Sequence, residues 1–203
     1  MTEIIWASPA DDRAVASRVE AAIGSGGAAI AVPGGRTPIP ILEALAGRTI
    51  PWERVTVSLT DDRAVPHDHP ASNFGALQKA LGETRARLVP LAEGAPLNRF
   101  QLVWIGMGAD GHIASIFPNV DLPADAPPAV VRTVPDPLPP EAPFARLTLN
   151  YEALADAEAM ILVVRGYDKR KVIEDAIAGG NDLPIARLLS RTRCPVTIFW
   201  SGS

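Results

Sequence analysis

The sequence predicts an α/β fold: three layers, with a mainly parallel, Rossmann-like sheet covered by helices on both faces. Two observations predict it. Short apolar runs rich in β-branched residues recur along the chain, and segments with helical spacing of their apolar residues lie between them. A third observation agrees: the stretches richest in glycine and charge come directly after apolar runs, where the ligand-gathering loops of an open parallel sheet belong.

In chain order, strands are expected at 4–7, 28–32, 55–60, 102–106, 129–134, 146–149, 160–165 and 196–200. Between the first two, Val15, Val19 and Ile23 repeat every fourth residue and give a helix one apolar face. A helix-compatible PIPILEALAG follows the second run, and Val172, Ile173, Ala176 and Ile177 form another stripe late in the chain. Residues 122–144 hold eight of the 20 prolines and cannot form a long helix, so they read as an ordered surface excursion flanking a strand. A chain of 203 residues with 47% hydrophobic and 21% charged residues is expected to fold as one domain, 1–203, around a sizeable core.

A mild net charge of -4, with both signs well mixed, announces no surface for nucleic acid or an anionic membrane. The opening MTEIIWASPADDRAVASRVE lacks the basic start and apolar run of a secretion signal, and no apolar run approaches the ~18 residues of a membrane span, so a cytoplasmic location is expected. Cys194 is the single cysteine, which excludes an internal disulfide and a CxxC pair, and its setting at a strand start reads as core packing.

Three segments could carry chemistry. In AVPGGRTP, Gly34 and Gly35 follow a buried strand and precede a helix, so backbone N–H groups and the helix start could cradle an anion, or the glycines could serve only a tight turn. In LTDDRAVPHDHPASNF, Arg63 could grip phosphate in a bidentate manner. His67 and His69 beside Asp68 invite a metal reading, but one polar loop cluster with no distant imidazole besides His112 reads better as solvated surface, and no metal is expected. In LVWIGMGADGHIASIFP, the G-x-G-x-x-G spacing admits a dinucleotide fingerprint, but Pro118 cuts the helix short and no acidic strand end follows about 20 residues on. The loop reads better as one presenting Asp110 and His112 at a strand end. An imidazole held by a carboxylate can act as a general base near neutral pH.

The same loop resembles the G-x-G-x-D-G-H-[TI]-A-S-[LI]-F-P signature of 6-phosphogluconolactonases, in the superfamily that includes glucosamine-6-phosphate deaminases. PGGRTP resembles the family's glycine-rich phosphate loop, DDRAVPHDHPASNF its D-E-R-x-V-P…S-N-[YF] block, and FARLTLNYEAL, GYDK and PVTIFW its later segments, in order from about residue 32 to residue 200. Pro33 and Arg36 stand where the family loop usually has serines, Asp62 where it has glutamate, and Phe117 where the deaminases carry a glutamate five residues beyond the histidine.

The resemblance implies hydrolysis of 6-phospho-D-glucono-1,5-lactone to 6-phosphogluconate without a cofactor. His112 would be the base that activates water and Asp110 its orienting partner. Glycine-rich backbone N–H groups, those of Gly34 or Gly35, would stabilise oxyanion charge. Phosphate would rest on Arg63 and Lys169 near Thr37, with Arg36 as a further contact, Asp61 on sugar hydroxyls or fixing the Arg63 loop, and Arg146 as phosphate ligand or scaffold. The expected partner is the sugar-phosphate lactone alone, in a monomer or small homo-oligomer. The alternatives are an amino-sugar-phosphate deaminase or isomerase, and a sugar-phosphate-binding regulator without turnover.

Overall fold

The computed structural model describes residues 2–123, 126–140 and 142–202. In chain order the elements are β1 (Ile4–Trp6), α1 (Asp12–Ile23), β2 (Ala28–Val32), α2 (Pro38–Ala46), β3 (Val55–Leu59), β4 (Asp61–Arg63), α3 (Asn73–Leu81), β5 (Arg87–Val89), β6 (Leu102–Gly106), β7 (Val130–Thr133), β8 (Arg146–Leu149), α4 (Tyr151–Ala155), β9 (Met160–Arg165), α5 (Tyr167–Ile177), α6 (Pro184–Arg191) and β10 (Val196–Ser201). Seven strands form a wholly parallel sheet in the order β1-β10-β9-β6-β2-β3-β5.

The alternation of side chains along each strand builds the two faces. Leu102 and Trp104 of β6 join Ile161 and Val163 of β9 on one side, against Val15 and Val19 of α1, Leu42 of α2 and Leu77 of α3. Val103 and Ile105 join Leu162 and Val164 on the other, against Leu154 of α4, Ile173 of α5 and Leu188 of α6. The expected α/β class and its covering helices are therefore present. Ile177 departs from its expected stripe: it is the last residue of α5 and 42% exposed, whereas Ile173, one turn earlier, and the adjacent Ala176 are buried. Cys194 is buried, and burial pushes its thiol pKa up, as a core residue's should be.

The second sheet has a different organisation. β4, β8 and β7 form an antiparallel three-stranded sheet, with Asp61 opposite Thr148, Arg63 opposite Arg146 and Val131 opposite Thr148. The expected strands at 129–134 and 146–149 thus leave the parallel sheet and pair with each other. Among the described residues of the proline-rich excursion, β7 is the one strand; residues 124, 125 and 141 lie outside the described set.

The chain's winding reverses between two adjacent strands. From β2 it proceeds outward to β3 and β5, then returns to β6 on the other side of β2 and proceeds outward the opposite way to β9 and β10. Loops leaving the carboxyl ends of β2 and β6 diverge at such a point and leave a crevice between them. The glycine loop after β2 and the DGH loop after β6 are those two loops.

Candidate active site

The DGH loop closes on itself through Gly108 N–H donating to His112 O at 2.9 Å and Gly111 N–H donating to Gly108 O at 3.1 Å. Within that turn, Nδ1 of His112 lies 2.6 Å from Oδ1 of Asp110, and the His112 backbone N–H donates to the same oxygen at 3.2 Å. A carboxylate only accepts, so it fixes the proton on Nδ1 and leaves the Nε2 lone pair available. Among the described residues Nε2 has no hydrogen-bond partner. The ring rests on Phe117, centroid to centroid 4.7 Å, and both side chains of the pair stay open to solvent, at 32% for His112 and 51% for Asp110. Gly108 makes the pairing possible, because a Cβ there would run into Nδ1 of His112 and Oδ1 of Asp110.

Beyond the histidine the loop is anchored. Ile113 and Ile116 are fully buried, Ala114 takes a positive φ of 47°, and Ser115 joins the second sheet. Ser115 N–H donates to Thr148 Oγ1 at 3.2 Å, its hydroxyl donates to Asp61 Oδ2 at 2.5 Å, and its carbonyl accepts from Thr133 Oγ1 at 2.9 Å.

Beside the pair, a cavity of about 140 Å³ opens between the loops after β2, β6 and β9. Gly34, Arg36, Thr37 and Lys169 line it, over a floor that includes Trp104 and Val163. Gly35 holds a φ of 98° in the same loop. Thr37 precedes α2 without capping it through its side chain. Lys169 Nζ donates to Met107 O at 2.6 Å; burial lowers its pKa, and the negative charge of Asp110 partly offsets this. The cavity therefore collects positive charge and the Thr37 hydroxyl in a confined space, which suits a small anion.

A third cluster lies on β4 and its flanks. The Asp62 carboxylate accepts from Arg63 N–H (2.7 Å), Asn73 N–H (2.6 Å), Phe74 N–H (3.0 Å) and Ser72 Oγ (3.3 Å), so this residue anchors the start of α3. One terminal nitrogen of Arg63 donates to Ala71 O at 3.0 Å and to Asn73 Oδ1 at 2.7 Å. The Asn73 amide then donates to Asp61 O at 3.1 Å and lies flat against Gly34, where any Cβ would collide with it. One buried asparagine thus ties the arginine strand to the glycine loop. Asp61 keeps some exposed surface, yet burial of its carboxyl raises its pKa, against the opposing influence of the Ser115 hydrogen bond and the Arg63 charge.

The residues singled out in the sequence therefore fall into groups. Gly34, Arg36, Thr37 and Lys169 meet at the cavity, while Asp110 and His112 pair beside it. Arg63 and Asp61 lie on β4 and are absent from the cavity lining. Arg146 is 4% exposed, and its guanidinium donates to Ala142 O at 2.9 Å and to Phe144 O, the scaffold arrangement. Burial lowers its pKa, and the facing Arg63 adds to this. His67 and His69 make packing contacts: His67 rests on Phe74 at 4.6 Å, and His69 rests on Phe144 at 5.1 Å while its Nδ1 accepts from Ala71 N–H. Sequence reasoning missed Gly108, Ser115, Thr148 and Asn73. All four lie inside segments singled out above, but the partners of Asn73, Ser115 and Thr148 are distant in the chain.

An open α/β sheet with a carboxylate-held histidine beside a cation-lined cavity at its switch point suits an anionic small molecule. Comparison with known proteins agrees. The family described as glucosamine-6-phosphate isomerases/6-phosphogluconolactonase matches residues 8–97 and 83–200. A 6-phosphogluconolactonase of Pseudomonas aeruginosa is 36% identical, with 97% of this chain and 93% of the relative aligned. One of Pseudomonas putida is also 36% identical, over 92% and 85% respectively. The crystal structure of a 6-phosphogluconolactonase from Shewanella baltica superposes with a TM-score of 0.79 at 26% identity, covering 99% of this chain and 98% of that one. The chain belongs to the glucosamine-6-phosphate isomerase/6-phosphogluconolactonase family.

Proposed function

We propose that this chain, acting as one domain over residues 1–203, is a cytoplasmic enzyme that hydrolyses 6-phospho-D-glucono-1,5-lactone to 6-phospho-D-gluconate, the hydrolytic step of the oxidative pentose phosphate route. One observation carries the reading: a His112–Asp110 pair with a free Nε2 stands beside a cationic cavity of phosphate size. The phosphate enters among Arg36, Thr37 and Lys169, which places the lactone over the DGH loop. Nε2 of His112 takes a proton from water as the water oxygen attacks the lactone carbonyl carbon. Charge on the former carbonyl oxygen is met by backbone N–H groups of the Gly34–Gly35 turn. The intermediate collapses with cleavage of the bond to the ring oxygen, which receives the proton now on His112. Asp110 holds the imidazole in one tautomer throughout and stabilises the imidazolium.

Arg63, fixed through one nitrogen by Asn73 and Ala71, offers its remaining N–H groups to substrate oxygens, and Asp61 faces sugar hydroxyls. Arg146, on the strand facing Arg63, acts as scaffold by holding the carbonyls of Ala142 and Phe144. A lactone is already an activated ester, so this chemistry calls for neither a covalent nucleophile nor a metal. The protein works as a monomer or small homo-oligomer, with the sugar-phosphate lactone as its partner. The deaminase alternative lacks its acid, since Phe117 at that position packs on His112.

The test is lactone disappearance with and without enzyme, in the presence and absence of a chelator, corrected for spontaneous hydrolysis. Acceleration insensitive to chelator is expected. No acceleration, with retained binding of 6-phosphogluconate, would make the chain a sugar-phosphate sensor. Release of ammonia from glucosamine 6-phosphate would make it a deaminase.

A further inference from the structure

One cation of the anion cavity has no task in the chemistry above. Arg165 ends β9 and lines the same cavity as Arg36, Thr37 and Lys169. It lies outside the segments that resemble the family, and its approach to the glycine loop depends on β9 and β2 both flanking β6.

Its guanidinium is held from behind. One terminal nitrogen donates to Oδ1 of Asp12, the first residue of α1, at 2.7 Å; the other donates to Val164 O at 3.2 Å and Phe199 O at 3.4 Å. Asp12 is 62% exposed, whereas the Arg165 side chain is only 22% exposed, so the carboxylate lies toward solvent and the arginine toward the protein. An arginine fixed in this way meets an incoming anion with little further loss of side-chain freedom. Three cations around a space of about 140 Å³ match a phosphate monoester, which carries about −1.5 to −2 charge near neutral pH.

We infer that Arg165, positioned by Asp12, is a specificity-determining residue that makes this cavity select the phosphorylated end of the substrate over an unphosphorylated sugar lactone. The inference rests on the reading of the cavity given under Proposed function.

The experiment measures binding of 6-phosphogluconate by calorimetry, together with kcat and KM on 6-phosphogluconolactone and on unphosphorylated gluconolactone, for the parent, Arg165→Met, Arg165→Lys, Asp12→Asn and Lys169→Met. A charge-assisted contact of this kind corresponds to about a tenfold or greater change in affinity. Arg165→Met is expected to weaken 6-phosphogluconate by that factor, raise KM for the phosphorylated lactone and lower the preference for it in the same proportion. Arg165→Lys should recover part of the loss, and Asp12→Asn should show a smaller loss of the same kind. Normal 6-phosphogluconate binding by Arg165→Met overturns the inference. If Lys169→Met then binds poorly, the cavity still holds phosphate; if it also binds normally, the reading of the cavity falls as well. A Arg165→Met protein with a lowered melting temperature and equal losses on both lactones has lost only structure, and that too overturns the inference.

Discussion

The loop after β6 and the strand β4 both bring aspartates to the carboxyl edge of the sheet, and they use them in opposite ways. Asp110 is half exposed and has one side-chain partner, His112, so the pair can exchange a proton with a bound molecule. Asp62 is 6% exposed and accepts from four donors, so its capacity is spent on the start of α3. Asp61, between them in character, is desolvated and held by Ser115. Residue type and position at the strand end do not separate an open carboxylate from an anchoring one; the number of fixed donors and the access of solvent do.

The sharpest way to break this contrast is at the histidine. His112→Asn keeps size and hydrogen bonding but cannot take a proton from water, so kcat should fall by about 10²–10⁴. Its melting temperature and its affinity for 6-phosphogluconate should stay near the parent's. Steady-state kinetics and calorimetry check both, and a near-parent turnover would move the base to another residue. Gly108→Ala comes next. Its methyl group would overlap His112 Nδ1 and Asp110 Oδ1 where they stand, so the pair must shift from its present position. A rate loss of about tenfold or more is expected, with an unchanged circular dichroism spectrum, because a misplaced base loses much of its advantage. A parent-like rate would show that the 2.6 Å contact is dispensable.

On the other side of the comparison, Asp62→Ala should act on stability. It leaves the backbone N–H groups of Asn73 and Phe74 at the start of α3 without their carboxylate. A loss of about 2–4 kcal/mol is expected from removing several hydrogen bonds to a buried charged group. Urea unfolding measures it, and kcat per folded molecule should change far less than in His112→Asn.

The two regions were also unequally legible. The DGH loop was readable because its residues are contiguous and follow a plainly apolar strand, LVWIG. Most of the parallel sheet and the helices α1, α2 and α5 were readable for the same reason, through alternation in β6 and β9 and the spacing of Val15, Val19 and Ile23, whereas the sequence reading contained no helix at α3, α4 or α6. β4 was missed because Asp-Asp-Arg has no strand-like composition; it pairs only because Thr148, Leu147 and Arg146 of β8 lie opposite. β5, Arg87–Val89, is a three-residue edge strand, too short for a periodic signal. Asn73 was visible within its block, but its bridging of Arg63, Asp61 and Gly34 joins three segments separated in sequence. The arrangement of the two arginines, one on each of two antiparallel strands, was hidden for the same reason.

The mildest test concerns Asp61, the carboxylate that belongs fully to neither kind. Burial raises its pKa in the folded protein above the ordinary aspartate value of 3.8, so the native state holds this proton more tightly than the unfolded chain does. Where the native state binds more protons, stability falls as pH rises. The Asp61 contribution is therefore complete below about pH 3.8 and is lost as pH climbs through the raised folded value. By neutral pH that contribution is reduced or gone, and burying the carboxyl is a burden on the fold. Asp61→Asn removes that burden while its amide oxygen can still accept the Ser115 hydroxyl, so the variant should melt higher than the parent at neutral pH, and the gap should close as pH is lowered. Melting curves of the two proteins across this range isolate the effect, since every other carboxylate is common to both. A gap independent of pH, or a variant less stable at neutral pH, would mean that Asp61 is an anchor like Asp62, its charge repaid by Arg63 and Ser115 rather than held against the cost of burial.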